Sequence, residues 1–305
     1  MDLADGAFRL SETPPAEALV SSVRLLGLLS PPLLREREDS RFQILDGFKR
    51  VEACRLADME SIPALILDKD ASPDFCAMAA VAANASSRPL TLLETSRAIR
   101  LLAPDKPWEE RREVIRRVLG LEGGEGYVQD IESLSRLPET VQKAVEADAV
   151  ALPVALRLRD MEDKDAEAVA RLFLRLPQSL SRQRQVVDLV AQIGQREGLS
   201  PAQVLEDPDI RRAMEEEGDR NAAGAKVRSI LYRRRYPVMA EETEKRKQTL
   251  SELCLPPRIT WHPPPHFEGL THSLRMDFDS ADELSNHLDR LRRLLDHPAL
   301  KKLLP

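Results

Sequence analysis

Ile44-Leu45-Asp46-Gly47-Phe48-Lys49-Arg50-Val51-Glu52-Ala53-Cys54 reads as an apolar strand end, a glycine turn, two cations and a helix start. That order suits an anion. Glycine lets the backbone approach closely, the helix start offers unspent N–H groups, and Lys49 and Arg50 bring positive charge. A second reading stays open, in which Gly47 is an ordinary strand-to-helix turn and the cations lie on the solvated helix face.

Upstream, Ala7–Leu10 is expected to be a strand. Ala16–Leu29 is an amphipathic helix, with Leu19, Val23, Leu26 and Leu29 at helical spacing. Pro31-Pro32 leads into a strand over Leu33–Arg37, and Arg41–Leu45 alternates as the next. Downstream, Phe48–Ala57 is a helix and Ile62–Leu67 a further strand. Residues 1–100 therefore form a compact α/β unit.

The remainder is mostly helical. Aromatics are 4% and charged residues 31% of 305 residues, with long Leu/Ala/Arg/Glu stretches. The length allows two or three domains. No apolar run nears the ~20 residues that span a bilayer, and the amino terminus lacks a signal-peptide pattern. Three widely spaced cysteines (Cys54, Cys76, Cys254) point to a reducing cytoplasm and no metal site. Net charge is −6, unlike the basic balance of a simple DNA binder.

Pro73–Ala85 is an Ala-rich helix ending near Asn84, itself a candidate C-cap. Thr91–Leu102 opens with a capping box, Thr91 and Glu94. Trp108–Leu121, the Gly123–Gly126 turn and Tyr127–Leu137 give a helix-turn-helix outline over a helical region, residues 101–236. Its second helix offers Gln129, Ser133 and Arg136 to base edges. The same helix carries Asp130 and Glu132, which repel phosphates, so a helical module without a DNA surface is the alternative.

Residues 226–258 hold nine Lys/Arg against four Asp/Glu. Arg233, Arg234 and Arg235 lie between Tyr232 and Tyr236, a pattern that suits phosphates and stacking. A solvated helix face, or pairing with Glu215–Glu217, accounts for it equally. Residues 237–257 are expected to be a linker. Residues 258–305 form a strand-strand-helix unit, with Leu284, Leu288, Leu291 and Leu295 on one stripe as a candidate dimer face. The late histidines flank prolines (His262, His266) and make a poor metal pair.

The order of elements resembles the ParB family of chromosome and plasmid partition proteins over roughly residues 5–165. The carrying residues are the Gly27–Leu33 stretch, the Gly47 turn in place of that family's Gly-Glu-Arg-Arg, Asn84 within its Glu-Asn-x-x-Arg junction, and the helix-turn-helix followed by Leu134–Gln142. The resemblance implies a mixed, mostly helical fold: a ParB/sulfiredoxin-like α/β domain, a helix-turn-helix domain and a carboxy-terminal unit. It implies a homodimer that binds DNA and a site for CTP and Mg2+ at Gly47, Lys49, Arg50 and Asn84, with Asn84 on the metal side. Arg88 neighbours Ser87, which stands in the arginine position. Phe48 and Ala83 replace the acids, so hydrolysis by the family mechanism is not expected. Two rivals are carried: a ParB-like nucleotide-dependent enzyme, and a ParB-derived scaffold for a partner protein. No catalytic residue is assigned, and a cytoplasmic location is expected.

Overall fold

The computed structural model describes residues 5–38, 41–215, 218–253, 255–262, 272–295 and 297–303. Chain contacts divide it into two compact units, residues 1–224 and 225–305.

The first unit opens with an extended segment holding one turn, closed by Arg9 N–H donating to the Gly6 carbonyl. Ala7–Leu10 is not the expected strand. Leu10 is buried in a helical core and has no strand edge beside it to pair with. Helix α1 (Glu17–Leu26) stops at Gly27, three residues short of expectation. Strands β1 (Leu33–Glu36) and β2 (Phe42–Asp46) pair antiparallel, and β1 pairs parallel with β3 (Leu65–Leu67), giving the order β2-β1-β3. Helix α2 (Phe48–Leu56) connects β2 to β3.

Alternation explains the sheet's two faces. Leu34, Ile44 and Val51 pack on one side, and Leu45 packs with Cys76 and Ala80 of α3 (Pro73–Ser87) on the other. Ser72 caps α3 by accepting the Phe75 N–H, and the helix runs a turn past Asn84.

Helix α4 (Leu92–Leu101) starts with the full capping box of Thr91 and Glu94. Helices α5 (Trp108–Leu119) and α6 (Glu125–Ser133) follow, then a 3-10 turn over Leu134–Arg136 and α7 (Glu139–Glu146). Ala98, Ile99 and Leu102 join Val81, Ile115, Val128 and Ile131 in one core. Helix α4 thus joins the sheet-bearing part to the helical part, and residue 100 is no break in packing. Helices α8 (Leu152–Arg159), α9 (Asp163–Arg175), α10 (Leu180–Glu197), α11 (Pro201–Leu205) and α12 (Pro208–Glu215) complete the unit around Val154, Phe173, Val186 and Val190. Helix α13 (Arg220–Arg235) crosses the division.

In the second unit, the stretch expected as a linker is helical over Pro237–Glu252, α14. Proline is accepted in a first helical turn, and Lys245 pairs with Glu241 at 2.8 Å and Glu242 at 3.4 Å one turn back. Strands β4 (Ile259–His262) and β5 (Ser273–Met276) pair antiparallel, followed by α15 (Ala281–Leu294) and α16 (Pro298–Leu303). A small core holds Leu253, Ala299 and Leu300. The strand-strand-helix order is the expected one. Cys254, His266 and part of the Glu215–Glu217 run lie outside the described residues.

Candidate ligand pocket and nucleic-acid interface

Gly47 is the pivot of the candidate pocket. It caps α2 at φ +91, a conformation open to glycine, and an added Cβ would lie 2.9 Å from the Pro32 Cβ. The first intrahelical bond of α2 is Val51 N–H to the Gly47 carbonyl. The N–H groups of Phe48, Lys49 and Arg50 therefore have no helical acceptor, and no side chain caps them. They form the positive end of the helix.

A cavity of about 170 Å³ opens on this turn. Its lining brings together Gly47, Lys49 and Arg50 from α2, Asn84, Ser87 and Arg88 from the end of α3, and Arg9, Leu10 and Ser11 from the amino-terminal segment. Every residue that the sequence proposed for the nucleotide is here. Arg9 and Ser11 also line it and were not among the sequence candidates, because the segment was taken for a strand.

The cations differ in what they already hold. Arg50 is heavily engaged: Nη1 donates to the Ser30 carbonyl (3.0 Å), Ser30 Oγ (2.8 Å) and the Pro31 carbonyl (2.9 Å), and Nη2 meets Asp46 at 2.5 Å. It ties the Ser30–Pro31 loop to the glycine turn. Arg88 grips Glu94 with both terminal nitrogens, 2.6 Å each. The expectation that Arg88 supplies the absent arginine contact must include this partner. Lys49 makes one bond, Nζ to Thr13 Oγ1 at 2.7 Å. Arg9 lies over the Phe48 ring, 4.9 Å from its centroid.

Glu94 is buried behind the pocket. Burial pushes its carboxyl up, but the Arg88 bonds, the Thr91 N–H and the charges of Arg88 and Lys49 outweigh that and hold it at about 2. Asn84 spends Nδ2 on the Ala80 carbonyl, 2.9 Å, one turn back. It is a mid-helix residue, not a C-cap. Its Oδ1, the Arg50-paired Asp46 and the hydroxyls of Ser11 and Ser87 are the side-chain oxygen donors of the lining. That set suits Mg2+ only if phosphate oxygens complete the shell. Among the described residues, no group of three His, Cys, Asp or Glu is arranged to hold a metal. Cys54 and Cys76 are buried, and burial pushes both thiols up, the opposite of a reactive nucleophile.

The helix-turn-helix candidates lie on α6 and the turn after it. Gln129 is exposed and donates to Glu125 Oε1 at 3.1 Å. Ser133 ends α6, four residues sooner than expected, with its hydroxyl on the Asp130 carbonyl at 2.7 Å. Arg136 is exposed in the 3-10 turn and reaches Glu132 at 3.4 Å. The two acids are neutralised from within. Glu132 meets Arg111 of α5 at 3.1 Å, and Asp130 meets Arg159 of α8 at 3.0 Å. Arg159 also reaches Ser133 Oγ, 3.2 Å. Sequence reading counted the acids as exposed charge and missed both partners.

Arg233, Arg234 and Arg235 occupy the last turn of α13, where cations also favour the helix C-terminus. Arg235 lies 4.5 Å over the Tyr236 ring, and the Tyr232 and Tyr236 rings meet tilted at 49° with centroids 5.1 Å apart. Among the described residues, no helix is long and apolar enough to cross a membrane.

The chain is similar to several known proteins. Residues 12–83 match the ParB N-terminal domain family. A nucleoid occlusion protein of Listeria monocytogenes is 25% identical over 205 residues, 65% of this chain and 69% of that protein. A probable chromosome-partitioning protein ParB of Rickettsia bellii is 26% identical over 179 residues, 59% of this chain and 57% of that protein. The chain thus spans little more than half of the Rickettsia protein. The chromosome-partitioning protein ParB of Caulobacter crescentus is similar in two structures. One is complexed to the centromeric parS site (TM-score 0.33, 20% identity, 57% of this chain, 88% of that one), the other with CTP-gamma-S (TM-score 0.22, 23% identity, 52% and 84%).

Proposed function

Residues 12–83 are a ParB-like amino-terminal domain, and from that premise we propose that the chain is a DNA-binding partition or nucleoid-occlusion protein whose pocket takes the phosphates of CTP. The observation that carries the reading is the convergence of the Gly47 turn, Lys49, Asn84 and Arg88 on one cavity. Three uncapped N–H groups and a net excess of cations favour a polyphosphate over a neutral ligand. The cavity's size suits phosphates, and the nucleoside would lie at its mouth. Mg2+ would sit between Asn84 and the phosphates and offset their charge.

In this reading Lys49 exchanges Thr13 for a phosphate, and Arg9 adds a second charge. Arg50 shapes the turn, and Arg88 supplies charge from the grip of Glu94. Turnover is not part of the proposal. Position 83 is alanine, and the one carboxylate in the lining, Asp46, is paired with Arg50. Phosphoryl transfer needs an oriented nucleophile as well as charge. DNA would be read by Gln129, Ser133 and Arg136 with Arg159 beside them, and Arg233, Arg234 and Arg235 would add phosphate contacts. A homodimer would form through α15, whose leucine stripe contains no buried residue within the unit.

A second reading, a scaffold for a partner protein without nucleotide, is favoured by the internal ion pairs of Arg50 with Asp46 and of Arg88 with Glu94. Calorimetry with CTP, ATP and GTP in the presence of Mg2+ decides between the two, using the wild type and Lys49→Ala. Lys49 is the better probe than Arg50, since it makes a single side-chain bond. CTP-selective binding weakened at least about tenfold by the variant supports the pocket. No binding of any nucleotide at high protein concentration sinks it and leaves the scaffold.

A further inference from the structure

Arg97 lies in the middle of α4, outside the pocket, and bridges two segments far apart in sequence. Nη1 donates to the Leu10 carbonyl at 2.8 Å, and Leu10 and Ser11 form the pocket's amino-terminal wall. Nη2 donates to Gln142 Oε1 on α7, also at 2.8 Å, while Glu146 of α7 lies 3.6 Å from Nη1. Gln142 in turn donates through Nε2 to the carbonyls of Ser135 (3.2 Å) and Leu137 (2.8 Å), which bracket Arg136. Next to Arg97, the fully buried Ser96 donates to the Glu132 carbonyl and accepts the Ser135 N–H, 2.9 Å each.

A cleft of about 730 Å³ beside this bridge is lined by the amino-terminal segment, α4 and α7. The Leu10 side chain packs in the helical core, and its carbonyl is oriented by a charged hydrogen bond from Arg97. That bond fixes the direction in which Ser11 leaves the core toward the pocket. The guanidinium is planar, so its two bonds cannot shift independently.

We infer that Arg97 and Gln142 are positioning residues that lock the pocket wall at Leu10–Ser11 to the turn behind α6. A displacement of either end breaks a bond in the shared fork and is felt at the other. The lock itself stands on the contacts. Its consequence for ligands rests on the function proposed above.

The first test is ligand-free. Amide hydrogen exchange is measured on the full chain carrying Gln142→Leu or Gln142→Glu, with thermal melting as a control. Gln142→Leu removes the acceptor for Arg97 Nη2 and the donor to Ser135 and Leu137, and is expected to speed exchange in residues 9–13 as well as 134–137. Gln142→Glu keeps the acceptor for Arg97 but loses the donor. It is expected to speed 134–137 and leave 9–13 at the wild-type rate. Unchanged exchange over 9–13 in a Gln142→Leu protein that melts normally overturns the lock. If Gln142→Leu fails to fold, faster exchange over 9–13 in Gln142→Glu overturns it instead.

The second test is the ratio of DNA affinities with and without Mg-CTP, expected to fall by about fivefold or more toward unity in Gln142→Leu. A ratio equal to that of the wild type refutes the functional consequence. If the wild type binds neither ligand, the reading of the pocket fails, and the exchange experiment still decides the lock.

Discussion

Arg88 and Glu94 face each other through two parallel 2.6 Å hydrogen bonds, one cation half in solvent and one carboxylate buried behind the pocket. The pair joins the C-terminal end of α3 to the first turn of α4. Glu94 thereby serves two purposes, since the same carboxylate accepts the Thr91 N–H of the capping box at 2.9 Å.

Stability should depend on pH through Glu94. Its folded carboxyl is held at about 2, below the ordinary value of 4.5. The stabilisation is therefore complete above the ordinary value and is lost as pH falls through the folded one. The full linkage would be about 3 kcal/mol, and exposure of Arg88 to solvent reduces it to about 2 kcal/mol. Denaturant titrations at pH 7, 4 and 2.5 on the wild type and Glu94→Gln check this. A variant that retains the wild-type slope between pH 4.5 and 2 would refute it.

Gly47→Ala should destabilise the protein by about 1–3 kcal/mol, because alanine strains at φ +91 and its Cβ meets Pro32. Chemical denaturation measures the loss. Phosphate affinity should drop with it, since the turn must move. A variant as stable as the wild type would show that the turn tolerates a side chain.

Arg50→Ala should lower stability by about 1–3 kcal/mol through the Ser30–Pro31 loop even without ligand. Arg50→Lys should not restore it, because an ammonium lacks the fork that meets Asp46 and Ser30 together. Thermal melting of both variants gives the answer, and full rescue by lysine would argue for charge alone.

Neutralising Arg233, Arg234 and Arg235 to glutamine should weaken DNA binding at all sequences and reduce the slope of log affinity against log salt by up to about 3. Arg136→Ala should instead act on sequence preference. Fluorescence anisotropy across a salt series separates the two. Equal slopes for wild type and triple variant would remove α13 from the interface.

Leu288 and Leu295 of α15 are 45% and 65% exposed. Leu288→Asp should convert a dimer to a monomer in sedimentation at micromolar concentration, while melting of the amino-terminal unit is unaffected. An unchanged sedimentation coefficient would show that the stripe is not the dimer face.

Local chemistry wrote much of this structure into the sequence. The Asp46-Gly47 turn, the capping box at Thr91 and Glu94 and the leucine spacing of α15 each depend on residues within a few positions of one another, and periodicity or hydrogen-bond offsets reveal them. The residues singled out in the sequence, Gly47, Lys49 and Arg50 by type and order and Asn84 and Arg88 by resemblance, line one cavity. Tertiary structure decided the rest. It gave Arg50 to Ser30 and Asp46, and Arg88 to Glu94, leaving Lys49 the less engaged cation. It turned Glu132 to Arg111 and Asp130 to Arg159, so that charges adding up to repulsion in the sequence cancel in space. It set Leu10 in a helical core where alternation suggested a strand. Such pairings join residues tens of positions apart, and a one-dimensional pattern records which groups carry charge but not which partner each one meets.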